Sequence, residues 1–306
     1  MGKHEVIVIG GGPAGLAAGL YTSRAGLSSL LLERGIFGGQ AVNARLVENY
    51  PGFPQGISGI ELGSLMHQQA IKYGLETSTE EVTGLVPGQT HRILTTDGDI
   101  EAQAVIIATG SEYRKLGVVG EDKLLGRGVS YCATCDGPLF RDREVAVVGG
   151  GDTAIADALE LSQHVRKVYL IHRRDQLRAG KVLQERIFAQ AKVEFLWDTV
   201  VEEIIGEPLV KALKLRNVRT GQLSVLEADG VFVAVGLSPN SEFFSQVVKV
   251  DEAGYIITNE LMATSVTGVF AAGDVRRNSA RQIATAVGDG ATAALSVFRY
   301  LQEQRG

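Results

Sequence analysis

The chain holds two cysteines, Cys132 and Cys135, set three residues apart in YCATCDG, residues 131–137. Two thiols at this spacing can close to a disulfide and reopen on gaining two electrons. The ionised thiolate is the form that attacks another disulfide. A structural disulfide and a chance pairing are the other readings of the same residues. Two cysteines are too few for a secreted-type disulfide framework or a four-ligand zinc site, and His164 and His172 follow no finger-like spacing. No metal centre is expected.

Two glycine loops supply the next chemical signal. EVIVIGGG (5–12) runs into the helix-like PAGLAAGLYTSRAG and then the apolar SSLLLERG. REVAVVGGG (143–151) runs into DTAIADALELSQH and then KVYLIHRR. Each passage reads strand, glycine turn, helix, strand, which makes a parallel βαβ unit. Gly10, Gly12 and Gly15 form GxGxxG, and Gly149, Gly151 and Ala154 form GxGxxA. In such a loop the first glycine makes the tight turn and the second lets backbone approach a pyrophosphate. The third, small position brings helix against strand. The helix N-terminus then offers free N–H groups to the phosphates.

The ends of the two second strands differ in charge. Glu33 stands 23 residues after Gly10, where a carboxylate can accept from ribose hydroxyls. His172 stands 23 residues after Gly149 and opens HRRDQLR, with Arg173, Arg174 and Arg178. Guanidiniums there suit a 2′-phosphate, so the second loop reads as an NADP(H) site, a solvated basic turn being the alternative. The first loop then takes a different dinucleotide, for which FAD is the natural choice. GVFAAGD (268–274) supports it by placing Asp274 at the C-terminal end of a buried strand, unless Asp274 only caps the next segment. RQIATAVGDGATAALSVFRYLQEQ, from Arg281, reads as a helix whose positive end would favour an anionic reduced ring.

These loops need a frame, and the frame repeats. Residues 78–104 alternate like an antiparallel meander and lead into AVIIATG (104–110); residues 193–230 do the same before GVFVAVG (230–236). The fold class expected is α/β, with two Rossmann-like three-layer domains, the second inserted in the first. The crossings fall near 111–116 and 237–246, giving residues 1–113 with 244–306 and an inserted 114–243. A length of 306 residues suits two modest domains, and 38 glycines against 7 prolines suit many tight turns. The net charge of −5 and the absence of a basic run speak against a nucleic-acid partner. No apolar stretch nears the roughly 18 residues of a membrane span, and the N-terminal run breaks into glycines without a cleavage pattern. A cytoplasmic protein without a membrane partner is expected.

Together these segments resemble the low-molecular-weight, bacterial-type thioredoxin reductases over nearly the whole chain. The resemblance rests on GGGPAG, GGQ (38–40), ENYPGFP (48–54), IIATG, CATCDG, GGGDTA, HRRDQLR and GVFAAGDV followed by RQ (281–282). It implies a homodimer with FAD in the discontinuous domain, NADPH in the inserted one, and a thioredoxin-like protein as electron acceptor. Cys135 would face the flavin, Cys132 would exchange with the partner, and Asp136 would act as acid and base, or else be a turn residue before Gly137. Flavin contacts would come from Gly10, Gly12, Pro13, Ala14, Gly15, Glu33, Gly39, Gln40, Asn49, Thr109, Gly110, Gly273, Asp274, Arg281, Gln282 and Ile283. Nicotinamide-nucleotide contacts would come from Gly149, Gly151, Asp152, Thr153, Ala154, His172, Arg173, Arg174 and Arg178. The resemblance further implies that the inserted domain rotates about its crossings, since disulfide and nicotinamide compete for one flavin. The chain departs at Ala156-Asp157, where the family usually has two glutamates, and at Ile283, where alanine is usual. Reduced ferredoxin as the donor, and a flavin redox sensor without turnover, are the competing functions.

Overall fold

A computed structural model describes residues 3–44 and 46–305. The chain forms two compact units, Met1–Glu112 with Ser238–Gly306 and Tyr113–Leu237. The chain passes between them through two short paired strands, Ser111–Tyr113 and Leu237–Pro239.

In the first unit the strand Lys3–Ile9 lies between Ser29–Glu33 and Ile100–Ile107, parallel to both, with Glu76–Thr79 beyond Ser29–Glu33. Ser29–Glu33 and the C-terminal halves of Lys3–Ile9 and Ile100–Ile107 read as unbroken apolar runs because both faces are covered, whereas the strand Glu76–Thr79 is polar. Val6, Val8, Leu31 and Ile106 point to one side, against the helices Pro13–Arg24 and Ile283–Arg305. Ile7, Ile9, Leu32, Val105 and Ile107 point to the other, with Ile93, Phe244 and Ile256. The strand Ile100–Ile107 has two roles. Its first half pairs antiparallel with His91–Thr95, which pairs with Val82–Val86; its second half pairs parallel with Val269–Ala271. The antiparallel stretch therefore starts at Val82, since Ser78 and Thr79 belong to the parallel strand beside Ser29–Glu33.

The inserted unit carries a five-stranded parallel sheet in the order Val193–Leu196, Lys167–Ile171, Glu144–Val148, Gly230–Val233, Val129–Ser130. Alternation again sorts the side chains. Val145, Val147, Leu170 and Phe232 meet Ile155, Ala158 and Leu161 of the helix Asp152–Leu161. Ala146, Val148, Ile171 and Val231 meet Ile204, Leu213 and Leu215 of the antiparallel strands Thr199–Gly206 and Val210–Asn217. Three layers result. The second unit boundary falls at Leu237–Ser238, inside the crossing expected near 237–246, and Phe244 is buried in the core of the first unit. No helix among the described residues is long and apolar enough to cross a membrane.

Candidate redox and dinucleotide sites

Cys132 and Cys135 follow the edge strand Val129–Ser130, at its C-terminal end, and are joined as a disulfide of 2.14 Å. They flank the start of a four-residue helix, Ala133–Asp136, in which the Cys135 N–H points at Cys132 Sγ from 3.2 Å. Ser130 fixes this turn: its hydroxyl accepts from the Cys132 N–H at 3.1 Å and donates to the Cys132 carbonyl at 3.3 Å. Its one proton is shared with the Asp136 carboxyl, which accepts from the same hydroxyl. Burial pushes the Asp136 carboxyl above the usual carboxylate range, and the bond from Ser130 opposes that rise. A carboxyl raised in this way holds its proton closer to neutral pH, which an acid–base partner of a thiol requires.

Two carboxylates brace the cysteine segment. Glu121 is 2% exposed, accepts from the N–H groups of Leu116 and Gly117, and accepts from Tyr131 Oη at 2.8 Å. Tyr131 directly precedes Cys132, and its ring stacks on Tyr113. On the other flank Thr134, between the two cysteines, donates to Glu160 Oε2 at 2.9 Å. One turn earlier, Asp157 is raised to about 7 by burial first and by the Glu160 charge second. Asp157 occupies one of the two positions where a glutamate pair was expected.

At the first glycine loop the backbone takes the conformation that the motif needs. Gly10 has φ of +106°, and a Cβ on Gly15 would lie 1.8 Å from the Gly10 carbonyl oxygen. No side chain caps the helix Pro13–Arg24, whose first turn opens with Pro13, Ala14 and Gly15. A Cβ on Gly12 would meet nothing closer than the Gly39 Cα at 3.8 Å, so space is left beside this helix end. Glu33 spans the loop: Oε2 accepts from the Gly11 N–H at 2.6 Å and Oε1 from the Gly35 N–H at 2.8 Å.

Other expected flavin residues lie in this unit, and two of them, distant in sequence, meet. Asn49 Nδ2 donates to Gln282 Oε1 at 3.1 Å, and Gln40 Oε1 accepts from Asn43 at 3.0 Å. Thr109 and Gly110 follow the strand Ile100–Ile107, and the Thr109 hydroxyl donates to the Asn240 carbonyl at 2.6 Å. Asp274 lies just past Val269–Ala271 and accepts from Ser279 at 2.8 Å; burial raises its carboxyl, and that bond and the charge of Arg281 counter the rise. The long helix begins at Ile283 rather than at Arg281. Arg281 has φ of +56° and lays its guanidinium over the Tyr255 ring. Gln282 instead closes the helix start, its carbonyl accepting from the Ala286 N–H and the Thr285 hydroxyl.

The second loop is built alike. No side chain caps the helix Asp152–Leu161, and a Cβ on Gly151 would meet nothing within 4 Å, which leaves the room a phosphate needs. Ala154 packs on Gly149, whose Cβ would lie 2.6 Å from the Ala154 Cβ. Asp152 turns its carboxylate to the Gly180 N–H at 2.8 Å, and Thr153 is exposed beside it. His172 lies beneath the loop, its ring against Gly150 and its Nε2 3.0 Å from the Gln176 carbonyl. Burial, then the nearby arginines, lower its pKa. Arg173, Arg174 and Arg178 instead line an open cleft of about 410 Å³. Both loops thus fit dinucleotide phosphates, and one of them adjoins a guanidinium cluster.

Four structural partners carry no local sequence mark. Ser130 is one. Asn240 is a second, clamping Thr109 from both sides by its carbonyl and by Nδ2 to the Thr109 carbonyl at 2.9 Å. Asp289 is a third: buried, it grips Arg276 through two bonds of 2.5 and 2.9 Å and accepts from the Gly273 N–H at 3.1 Å. It thereby fixes the turn that carries Asp274. Arg219 is the fourth, on the wall of the arginine cleft.

The pyridine nucleotide-disulphide oxidoreductase family model matches residues 4–290. Thioredoxin reductase of Bacillus subtilis (strain 168) is 48% identical over 302 residues, 98% of this chain and 95% of that protein. Thioredoxin reductase of Listeria innocua is likewise 48% identical, over 98% of this chain and 94% of its own length. The crystal structure of thioredoxin reductase from Streptococcus pyogenes superposes with a TM-score of 0.95 at 46% identity, covering 98% of this chain and 99% of that one. The chain belongs to the pyridine nucleotide-disulphide oxidoreductases, and within them to the thioredoxin reductases.

Proposed function

We propose that this flavin-dependent disulfide oxidoreductase is an NADPH-dependent thioredoxin-disulfide reductase, with FAD held by the discontinuous unit and NADPH by the inserted one. One observation carries the reading: the inserted unit bears both the Cys132–Cys135 disulfide and an arginine-lined cleft beside an uncapped helix end. The Glu33 carboxylate at the other loop suits ribose hydroxyls, and the two sites therefore take different dinucleotides. A bound flavin supplies the two-electron relay between nicotinamide and disulfide.

The protein residues do the rest. Once reduced, Cys132 as thiolate attacks the disulfide of the acceptor and forms a mixed disulfide. Cys135 as thiolate then attacks Cys132 Sγ, which releases the acceptor as a dithiol and re-forms the Cys132–Cys135 bond. Asp136 takes and returns the proton of the Cys135 thiol, a role suited to its raised carboxyl. The acceptor is a thioredoxin, as the names of the relatives indicate. We place the enzyme in the cytoplasm as a homodimer, with the inserted unit turning about the strands Ser111–Tyr113 and Leu237–Pro239 between half-reactions.

Anaerobic titration of the flavoprotein with NADPH, NADH and reduced ferredoxin tests the donor. Bleaching of the flavin by NADPH at the lowest concentration supports the proposal. A flavin that stays yellow with NADPH and bleaches with ferredoxin overturns it.

A further inference from the structure

Arg219 projects from the hairpin tip that follows the strand Val210–Asn217, and nothing in the Arg173–Arg178 segment announces it. The tip is firmly built. Asn217 Oδ1 accepts from the N–H groups of Arg219 and Thr220, each at 3.0 Å, and the Val218 N–H donates to the Asp198 carbonyl at 2.6 Å. Asp198 is tied in turn to the arginine segment, its N–H donating to the Arg174 carbonyl. From this base the Arg219 guanidinium enters the cleft, with Nη2 2.5 Å from Asp175 Oδ2 and Nε 3.0 Å from Asp198 Oδ2.

Asp175 poses an electrostatic problem for the proposed ligand. It stands among Arg173, Arg174 and Arg178, on the wall where a 2′-phosphate would approach. A free carboxylate there would repel that dianion and draw the neighbouring guanidiniums to itself. Pairing with Arg219, which holds Asp198 at the same time, offsets both effects. We propose that Arg219 is a specificity-determining residue of this cleft. It offsets the carboxylates of Asp175 and Asp198 and so leaves Arg173, Arg174 and Arg178 to the phosphate, and the cleft selects a 2′-phosphorylated adenosine over an unphosphorylated one. The inference rests on the reading of the cleft as the NADPH site.

Calorimetric binding of adenosine 2′,5′-bisphosphate and of adenosine 5′-monophosphate to the flavin-loaded protein separates the two ideas. The wild-type protein prefers the bisphosphate. Arg219→Ala weakens bisphosphate binding by about tenfold to a hundredfold, the range of a lost charge-assisted hydrogen bond. Binding of the monophosphate is unchanged, which also shows that the exposed hairpin tip still folds. Adding Asp175→Asn to Arg219→Ala restores part of the loss, and NADPH turnover follows with a raised KM at constant kcat. A wild-type protein without preference overturns the reading of the cleft. A wild-type preference that Arg219→Ala leaves intact overturns the role of Arg219 alone. Failure of Asp175→Asn to restore binding overturns the masking of Asp175.

Discussion

Asp157→Asn is expected to stabilise the protein, and to do so more at alkaline than at acid pH. Asp157 sits on the helix Asp152–Leu161 one turn before Glu160, and burial with that neighbouring charge raises it from 3.8 to about 7. Its folded pKa lies above its unfolded one, so the native state holds the proton longer. Stability is at its fullest below the unfolded value. It falls as the pH climbs from about 4 to 7 and is level beyond. Each tenfold difference in proton affinity between the folded and unfolded chain corresponds to about 1.4 kcal/mol, so ionisation costs about 4 kcal/mol by pH 8 and about 2 kcal/mol at pH 5. The neutral amide avoids this loss at either pH. Solvent near the half-buried carboxyl screens part of it, so the difference of about 2–3 kcal/mol between the two pH values is a ceiling. On a chain of this size that corresponds to a Tm advantage of the variant at most about 3–5 °C larger at pH 8 than at pH 5. Scanning calorimetry of wild type and variant at both pH values measures it. An advantage that is the same at both, or reversed, refutes the assignment of a raised carboxyl to Asp157.

Further substitutions probe the supports of the sites. Asp289→Asn leaves Arg276 half-paired in a buried setting and loosens the Gly273–Asp274 turn. It should destabilise by about 2–4 kcal/mol and speed the loss of flavin on dialysis, both followed by fluorescence. Gly151→Val fills the open space at the helix end. It should raise the KM for NADPH at least about tenfold, the value of one displaced charge-assisted hydrogen bond, while dithiothreitol-reduced enzyme still reduces thioredoxin at the wild-type rate. Ser130→Ala removes the bond that holds the Asp136 carboxyl down. The acid–base limb assigned to Asp136 should move to higher pH in the pH–rate profile, and an unmoved limb speaks against Asp136 as the proton carrier.

The features legible in the sequence are those written in consecutive residues. A glycine loop must follow its strand and open its helix within a dozen positions, so GGGPAG and GGGDTA announce themselves, as does CATC. The apolar runs VIVI, AVII and VAVV mark strands covered on both faces, which fixes the fold class. What escapes depends on residues that meet only after folding. Asp289 lies 16 positions beyond Gly273 on a helix whose buried face looks otherwise ordinary. Arg219 sits on a polar hairpin tip, 45 residues past Arg174, and looks like a solvated turn. The second crossing is expected no more narrowly than 237–246 for a similar reason. Phe244 belongs to the short turn Glu242–Phe244, whose sequence does not reveal that its ring enters the first unit's core. Arg281 reads as helix by composition, yet its left-handed backbone and the Tyr255 ring hold it out of the helix.

On the proposed function, electrons from NADPH reach Cys132 and Cys135 and leave through Cys132 to another protein's disulfide. Alkylation and mass spectrometry of the 131–137 segment after anaerobic addition of NADPH, with and without oxidised thioredoxin, follow this route. The expected result is two alkylated cysteines with NADPH alone and their loss on adding thioredoxin. A Cys132→Ser variant should form no mixed disulfide with the acceptor. A flavin that bleaches while the Cys132–Cys135 bond survives, or a Cys132→Ser enzyme that still reduces thioredoxin, would contradict it.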